Sequence, residues 1–210
     1  MAFGLALAVL LAVKAWAKVG SPGSRLLAGP VAAAGLLAVG WAAGLSRDEL
    51  GLGGPGGATW YAVAAAGLVA VAYGIGLLIP AARSALLDPR HRRGPRQALF
   101  TALVAVPLST VLVEEVAFRG VLWGLVAHDH GPRWVIAVTA ALFGLWHADQ
   151  HRGRAAFGVV LFTALAGVVF GLLRQAGGSL LGPVVLHWAA NGLGVLASAW
   201  LWSRQVRALR

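Results

Sequence analysis

The stretch STVLVEEVAFRGVLWGL, Ser109 to Leu125, places two adjacent glutamates, Glu114 and Glu115, and an arginine, Arg119, in a run otherwise suited to lipid. The chain has 210 residues and only seven acidic ones, so two side by side in an apolar segment need a reason. Composition decides what kind of segment it is. A soluble domain is about half apolar and a quarter charged. This chain is 59% hydrophobic and 11% charged, with a mean hydropathy of +0.79. It reads as an integral membrane protein of the all-α class, a polytopic transmembrane helical bundle.

A helix needs roughly 20 apolar residues to cross a bilayer. Working outward from Ser109–Leu125 gives seven candidate spans, at 1–19, 26–45, 58–80, 104–127, 133–149, 155–174 and 179–202. Turn-forming and charged residues mark the breaks: KVGSPGSR (Lys18–Arg25), SRDELGLGGPGG (Ser46–Gly57), DPRHRRGPR (Asp88–Arg96), HDHGPR (His128–Arg133), DQHRGR (Asp149–Arg154) and RQAGG (Arg174–Gly178). The fifth span is short, and the first carries Lys14. The first run lacks the small-residue cleavage site of a signal peptide and reads as a retained helix.

Basic residues orient the bundle. With the N-terminus outside, the inside segments hold Lys14, Lys18, Arg25, Arg83, Arg90, Arg92, Arg93, Arg96, Arg152, Arg154, Arg204, Arg207 and Arg210. The outside segments hold Arg47, Arg133 and Arg174, and Arg119 lies within a span. The net charge of +10 therefore reads as topology and contact with the lipid bilayer, with no nucleic acid implied. Residues 1–210 form a single integral membrane domain without an evident repeat. With no cysteine, disulfides and thiolate chemistry are excluded.

Ionisable side chains inside a membrane call for a partner or a function. On a helix, residues four apart share a face and residues five apart do not. Glu115 and Arg119 are thus the natural ion pair, and Glu114 is left without a local cation. Burial of an unpaired carboxylate disfavours its charged form, which is the tuning a general acid or base requires. Spacing alone leaves open that both glutamates share Arg119 in a packing network. In LFGLWH (Leu142–His147), Phe143 and His147 are four apart on one face. Such a histidine could equally be an interfacial or capping residue. In GPVVLHWAAN (Gly182–Asn191), His187 and Asn191 are again four apart, and interhelical hydrogen bonding is the competing reading.

Depth decides whether the three clusters meet. At a rise of about 1.5 Å per residue, a fourth span beginning at Arg96 would put Glu114 about 27 Å deep, away from His147. A span beginning near Val104 puts it about 15 Å in, level with His147 and Asn191. The second frame is preferred, with Arg96–Leu103 as a juxtamembrane lead-in and Pro107 as a kink.

The three clusters, in this order, resemble the CPBP family: type II CAAX-prenyl endopeptidases, bacteriocin-processing proteins and bacterial relatives also called Abi proteins. The family's EExxxR is matched by Glu114, Glu115 and Arg119, its FxxxH by Phe143 and His147, and its HxxxN by His187 and Asn191. The resemblance covers a catalytic core at 96–202, with 1–95 supplying additional N-terminal transmembrane helices. It implies a glutamate-dependent intramembrane endopeptidase. Glu114 and His147 would activate a water. His187 and Asn191 would donate hydrogen bonds to the oxyanion of the tetrahedral intermediate. Glu115, Arg119 and Phe143 would be supporting residues. The substrate would be a hydrophobic or lipidated peptide or protein, and no cofactor is implied. The expected location is the bacterial cytoplasmic membrane, N-terminus outside and C-terminus inside.

Two other readings fit the same residues. Two histidines and two carboxylates could bind zinc, although neither H-E-x-x-H nor a di-iron E-x-x-H pair occurs. Intramembrane Glu, His and Arg also serve proton relays, so a proton-coupled transporter or a partner scaffold is the non-enzymatic alternative. His128, Asp129 and His130 read as a solvated outer loop, and Trp188, Trp200 and Trp202 as interfacial tryptophans.

Overall fold

The computed structural model describes residues 1–54, 57–89, 92–150 and 153–208. Arg90, Arg152 and Arg210, together with Pro55, Gly56, His91 and His151 of the expected breaks, lie outside the described residues. The described residues form helices and connecting turns. In lipid a helix satisfies its backbone hydrogen bonds within its own segment. The helices are α1 (Ala2–Val19), α2 (Pro22–Ala42), α3 (Ala58–Gly76), short α4 (Pro80–Leu86), α5 (Pro95–Ala127), α6 (Pro132–Trp146), α7 (Arg154–Gly177) and α8 (Leu181–Ala208). Six of them are long and apolar enough to cross a membrane, and α6 is a shorter apolar helix. The protein is an all-α integral membrane bundle.

Local sequence sets the ends. Proline stands in the first turn of α2, α4, α5 and α6, where its missing N–H costs nothing. Ser21 caps α2, its hydroxyl accepting from the Ser24 amide at 3.4 Å. The second helix therefore starts earlier than expected from hydropathy. α7 runs past the expected stop at Arg174 and ends on Gly178, whose φ of 63° is the left-handed conformation that glycine adopts freely.

The largest departure is α5. It is one continuous helix from Pro95, not a span that starts near Val104. Its ladder widens to π-type turns at Thr101–Ala105, Pro107–Val111 and Val116–Val121, around an α-helical turn at Leu112–Glu115. Pro107 has no N–H to give the ladder and opens the second of these turns. Wide turns of this kind are frequent at functional sites.

Packing is inside-out relative to a soluble protein. Val116–Val121 of α5 is wholly buried, whereas Leu68, Phe157 and Phe162 on α3 and α7 face outward. With lipid as apolar as leucine, helices associate through close contact of small residues. α6 lies along α7 in this way. A Cβ on Gly144 would stand 2.7 Å from the Val160 carbonyl oxygen. α2 meets α5 more closely still: a Cβ on Gly29 would stand 1.9 Å from the Leu108 carbonyl oxygen.

Contacts between loops sort into two ends. At one, Lys14 and Lys18 of α1 pair with Asp149 after α6, and Arg92 stacks on Trp202 of α8. At the other, Arg174 of α7 donates to the carbonyls of Asp48 and Glu49 in the α2–α3 loop, both at 2.9 Å. Glu49 there approaches His128 of the α5–α6 loop at 3.9 Å. This is the up-and-down order that the alternation of basic loops predicted.

Candidate active site

The centre of the bundle holds a polar cluster built from α5, α6 and α8. Glu115 and Arg119 are both fully buried, and Arg119 Nη1 donates to Glu115 Oε1 at 3.1 Å. Arg119 Nη2 donates to the Gly167 carbonyl of α7 at 3.3 Å. The guanidinium lies 4.3 Å from the Phe143 ring and 4.8 Å from Phe170. Cation–π contact of this kind favours a planar cation in a dry site. The pair expected from helical spacing is thus present, sealed by aromatic rings.

Glu115 has a second partner that spacing could not reveal. His187 Nδ1 of α8 lies 2.7 Å from the same Oε1. A carboxylate oxygen accepts, so that nitrogen is the donor, and the second ring nitrogen, Nε2, is left for another partner. The ring stacks on Phe170 at 5.1 Å and meets the Phe143 edge at 5.8 Å.

His147 obeys the same logic. Its Nδ1 lies 2.8 Å from the Phe143 carbonyl one turn earlier. A carbonyl only accepts, so Nδ1 donates there and Nε2 is left for another partner. Phe143 packs against His147 at 4.8 Å and Phe118 at 5.3 Å. It is the common wall of the cluster.

Both Nε2 atoms face Glu114. Its Oε2 is 3.9 Å from His147 and 3.8 Å from His187, and the residue is only 6% exposed. These separations exceed a direct hydrogen bond. Glu114 Oε1 is occupied differently, accepting from the Trp146 indole N–H at 3.0 Å. The two glutamates face different partners, as their helical phase predicted.

The route to this meeting differs from the expected one. α5 starts at Pro95, yet Glu114 and His147 are neighbours. The reason is that α6 is only 15 residues long, about 22 Å at the helical rise. It stops at the level of Glu114, which lies about 20 Å from the Ala127 end of α5. The lead-in Arg96–Leu103 is thus an extension of the same helix.

Asn191 stands apart from the cluster. It is exposed one turn beyond His187 on α8, and its side chain has no hydrogen-bond partner among the described residues. It lines a cavity of about 430 Å³ between α3, α5 and α8, with Tyr73, Arg93 and Thr101. Among the described residues no group of three His, Cys, Asp or Glu side chains is arranged to hold a metal ion.

Three participants were not singled out from sequence as part of this site: Trp146, Lys14 and Arg174. Lys14 Nζ donates to the Trp146 carbonyl and pairs with Asp149 at 2.6 Å. Lys14, with Lys18 behind it, holds the Asp149 carboxyl below its usual range. Arg174, expected in an outer turn, is 5% exposed, and its Nε donates to the Arg119 carbonyl at 3.0 Å. Lysine in a span was the available signal for Lys14; nothing local marks Trp146.

A comparison with known families matches residues 96–193 to the type II CAAX prenyl endopeptidase Rce1-like family. The match covers just under half of the 210 residues and shows what this segment is similar to. The match agrees with the CPBP resemblance drawn from the three motifs. No curated protein and no solved structure matches the chain. The Rce1-like segment contains Glu114, Glu115, Arg119, Phe143, His147, His187 and Asn191, while α1, α2 and α3 precede it. The family is one of CAAX-type proteases, and here its segment is set in an integral membrane protein.

Proposed function

We propose that the protein is an intramembrane endopeptidase in which Glu114 is the general base. The observation that carries this reading is the convergence of Glu114 Oε2 on the two imidazole Nε2 atoms at 3.8 and 3.9 Å. A water held between Glu114 Oε2 and His147 Nε2 donates one proton to each, and its oxygen lone pair points outward. Glu114, assisted by His147, takes one proton as the water attacks a peptide carbonyl. The same proton then goes to the leaving amine.

His187 takes a narrower role than the family pattern implies. A ring with a bare Nε2 would stabilise no oxyanion. Protonated at Nε2 before the water attacks, His187 donates from Nε2 to the oxyanion, and Glu115 behind Nδ1 compensates the charge, in the manner of carboxylate–histidine pairs elsewhere. Asn191, one turn away on the cavity side, would serve as a second donor only by turning toward His187 when substrate enters. Fixed donors in a dry site are the main source of such stabilisation.

The substrate is a hydrophobic or lipid-anchored peptide. Support comes from an apolar groove of about 430 Å³ between α5 and α8, lined by Leu108, Val111, Leu112, Val185 and Trp188, residues that flank the two glutamates and His187. The basic loops favour the N-terminus outside and the C-terminus inside the bacterial cytoplasmic membrane. The reading is tested with purified protein in liposomes, a library of membrane-anchored peptides and mass spectrometry of the products. Cleavage by the wild type that Glu114→Ala abolishes is expected. Equal cleavage by both refutes it.

A further inference from the structure

α1 lies outside the Rce1-like segment, yet it reaches the site through one side chain. Lysines near a helix end normally extend to the membrane surface. Lys18 follows that pattern, with a side chain 67% exposed. Lys14, one turn earlier, does not. Its side chain is 24% exposed and turns back onto the end of α6. There it donates to the Trp146 carbonyl, pairs with Asp149 and lies 4.5 Å from the Trp146 ring centroid. A cation suits that place, because the last carbonyls of a helix are electronegative. One residue therefore grips Trp146 by backbone and by ring.

Trp146 in turn touches Glu114. A carboxylate rotates about a broad, roughly two-fold terminal torsion, so its plane is not set unless one oxygen is held. The indole N–H on Oε1 holds one. The other, Oε2, is then the oxygen left facing both imidazoles.

We propose that Lys14 and Trp146 form a latch that fixes the orientation of the Glu114 carboxylate, so that one oxygen always faces the imidazoles, making both of them positioning residues. The latch couples a helix outside the matched segment to the reactive carboxylate. Only its kinetic consequence rests on the proteolytic reading; the hydrogen bond itself is read without turnover.

The experiment therefore has two arms. In the first, the protein is labelled with ¹⁵N-tryptophan in detergent micelles, and Trp146→Phe assigns the Trp146 indole resonance. Glu114→Gln and Lys14→Met each shift that resonance, and Lys14→Arg, which keeps the cation, returns it toward the wild-type position. In the second, a membrane-anchored peptide that the wild type cleaves is used. Trp146→Phe and Lys14→Met lower kcat about tenfold, the cost of one lost charge-assisted hydrogen bond, while KM stays within about twofold. Lys14→Arg recovers at least half of the loss. An indole resonance indifferent to Glu114→Gln overturns the contact between Trp146 and Glu114. A Lys14→Met protein that melts lower but keeps its resonance and kcat makes Lys14 a mere anchor and overturns the latch. If the resonance responds as stated while no peptide is cleaved even by the wild type, the latch is upheld and the protease reading falls.

Discussion

Arg119→Met tests the centre of the bundle. Arg119 is fully buried, and its charge is balanced by Glu115 at 3.1 Å. Methionine keeps an unbranched stem of similar reach and removes the guanidinium. Glu115 then loses its cation in a site that water does not reach, and removing one partner of a buried pair costs about 3–5 kcal/mol. The Gly167 carbonyl also loses its donor. We expect a loss of about 4 kcal/mol for the single variant. Adding Glu115→Gln removes the stranded charge and still leaves an amide oxygen for His187 Nδ1. The double variant is therefore expected to regain about 2 kcal/mol, a coupling typical of residues in direct contact. The residual loss belongs to the Gly167 carbonyl and to the Phe143 and Phe170 rings that the guanidinium faced. The assay is unfolding by dodecyl sulfate in mixed micelles, followed by far-ultraviolet circular dichroism. A double variant as unstable as Arg119→Met would show that Glu115 is not stranded, and the argument from an isolated buried charge would fail.

Glu114→Gln replaces the carboxylate that the indole meets by a neutral amide and removes the base, so peptide cleavage should fall at least about 100-fold, with the unfolding midpoint little changed. A strong chelator should leave wild-type cleavage intact; loss of activity that zinc restores would reinstate the metal reading. Gly29→Ala places a methyl 1.9 Å from the Leu108 carbonyl oxygen, and the forced separation of α2 from α5 should cost about 1–3 kcal/mol in the same unfolding assay. Asp149 is held below its ordinary value of 3.8 by its hydrogen bond to Lys14. Its contribution to stability is therefore full above 3.8 and lost as pH falls below that value through the folded one. Unfolding midpoints between about pH 2 and 6 should fall on the acid side for the wild type, and less for Asp149→Asn.

The sequence made legible whatever helical spacing controls. Glu115 and Arg119 lie four apart and pair, and Phe143 lies four before His147, whose Nδ1 donates to its carbonyl. Spans and loops were legible too, because proline, glycine and arginine punctuate them. The start of α5 was not. Its wide turns keep a long helix continuous through Pro107, and no hydropathy pattern distinguishes a span from a helical overrun. The contact between His187 and Glu115, 72 residues apart, was likewise invisible. It commits Nδ1 of His187 as a donor and so changes what that histidine can offer elsewhere.

Why adjacent glutamates serve one site follows from these contacts. A single carboxylate cannot both neutralise a buried arginine and wait for a proton. Two in sequence point about 100° apart on a helix. Glu115 turns to Arg119 and His187, and Glu114 turns to Trp146, His147 and the other nitrogen of His187. His187 thus touches both carboxylates, one through each ring nitrogen. Its Nδ1 is pinned by the charge-balanced glutamate, and its Nε2 faces the reactive one. The shortness of α6 completes the design. A helix two turns longer would carry the backbone beyond Trp146 past Glu114, and neither the His147 ring nor the Lys14 contact at the helix end would lie at its level. The polar residues of the span in α5 are therefore explained together with the length of its neighbour.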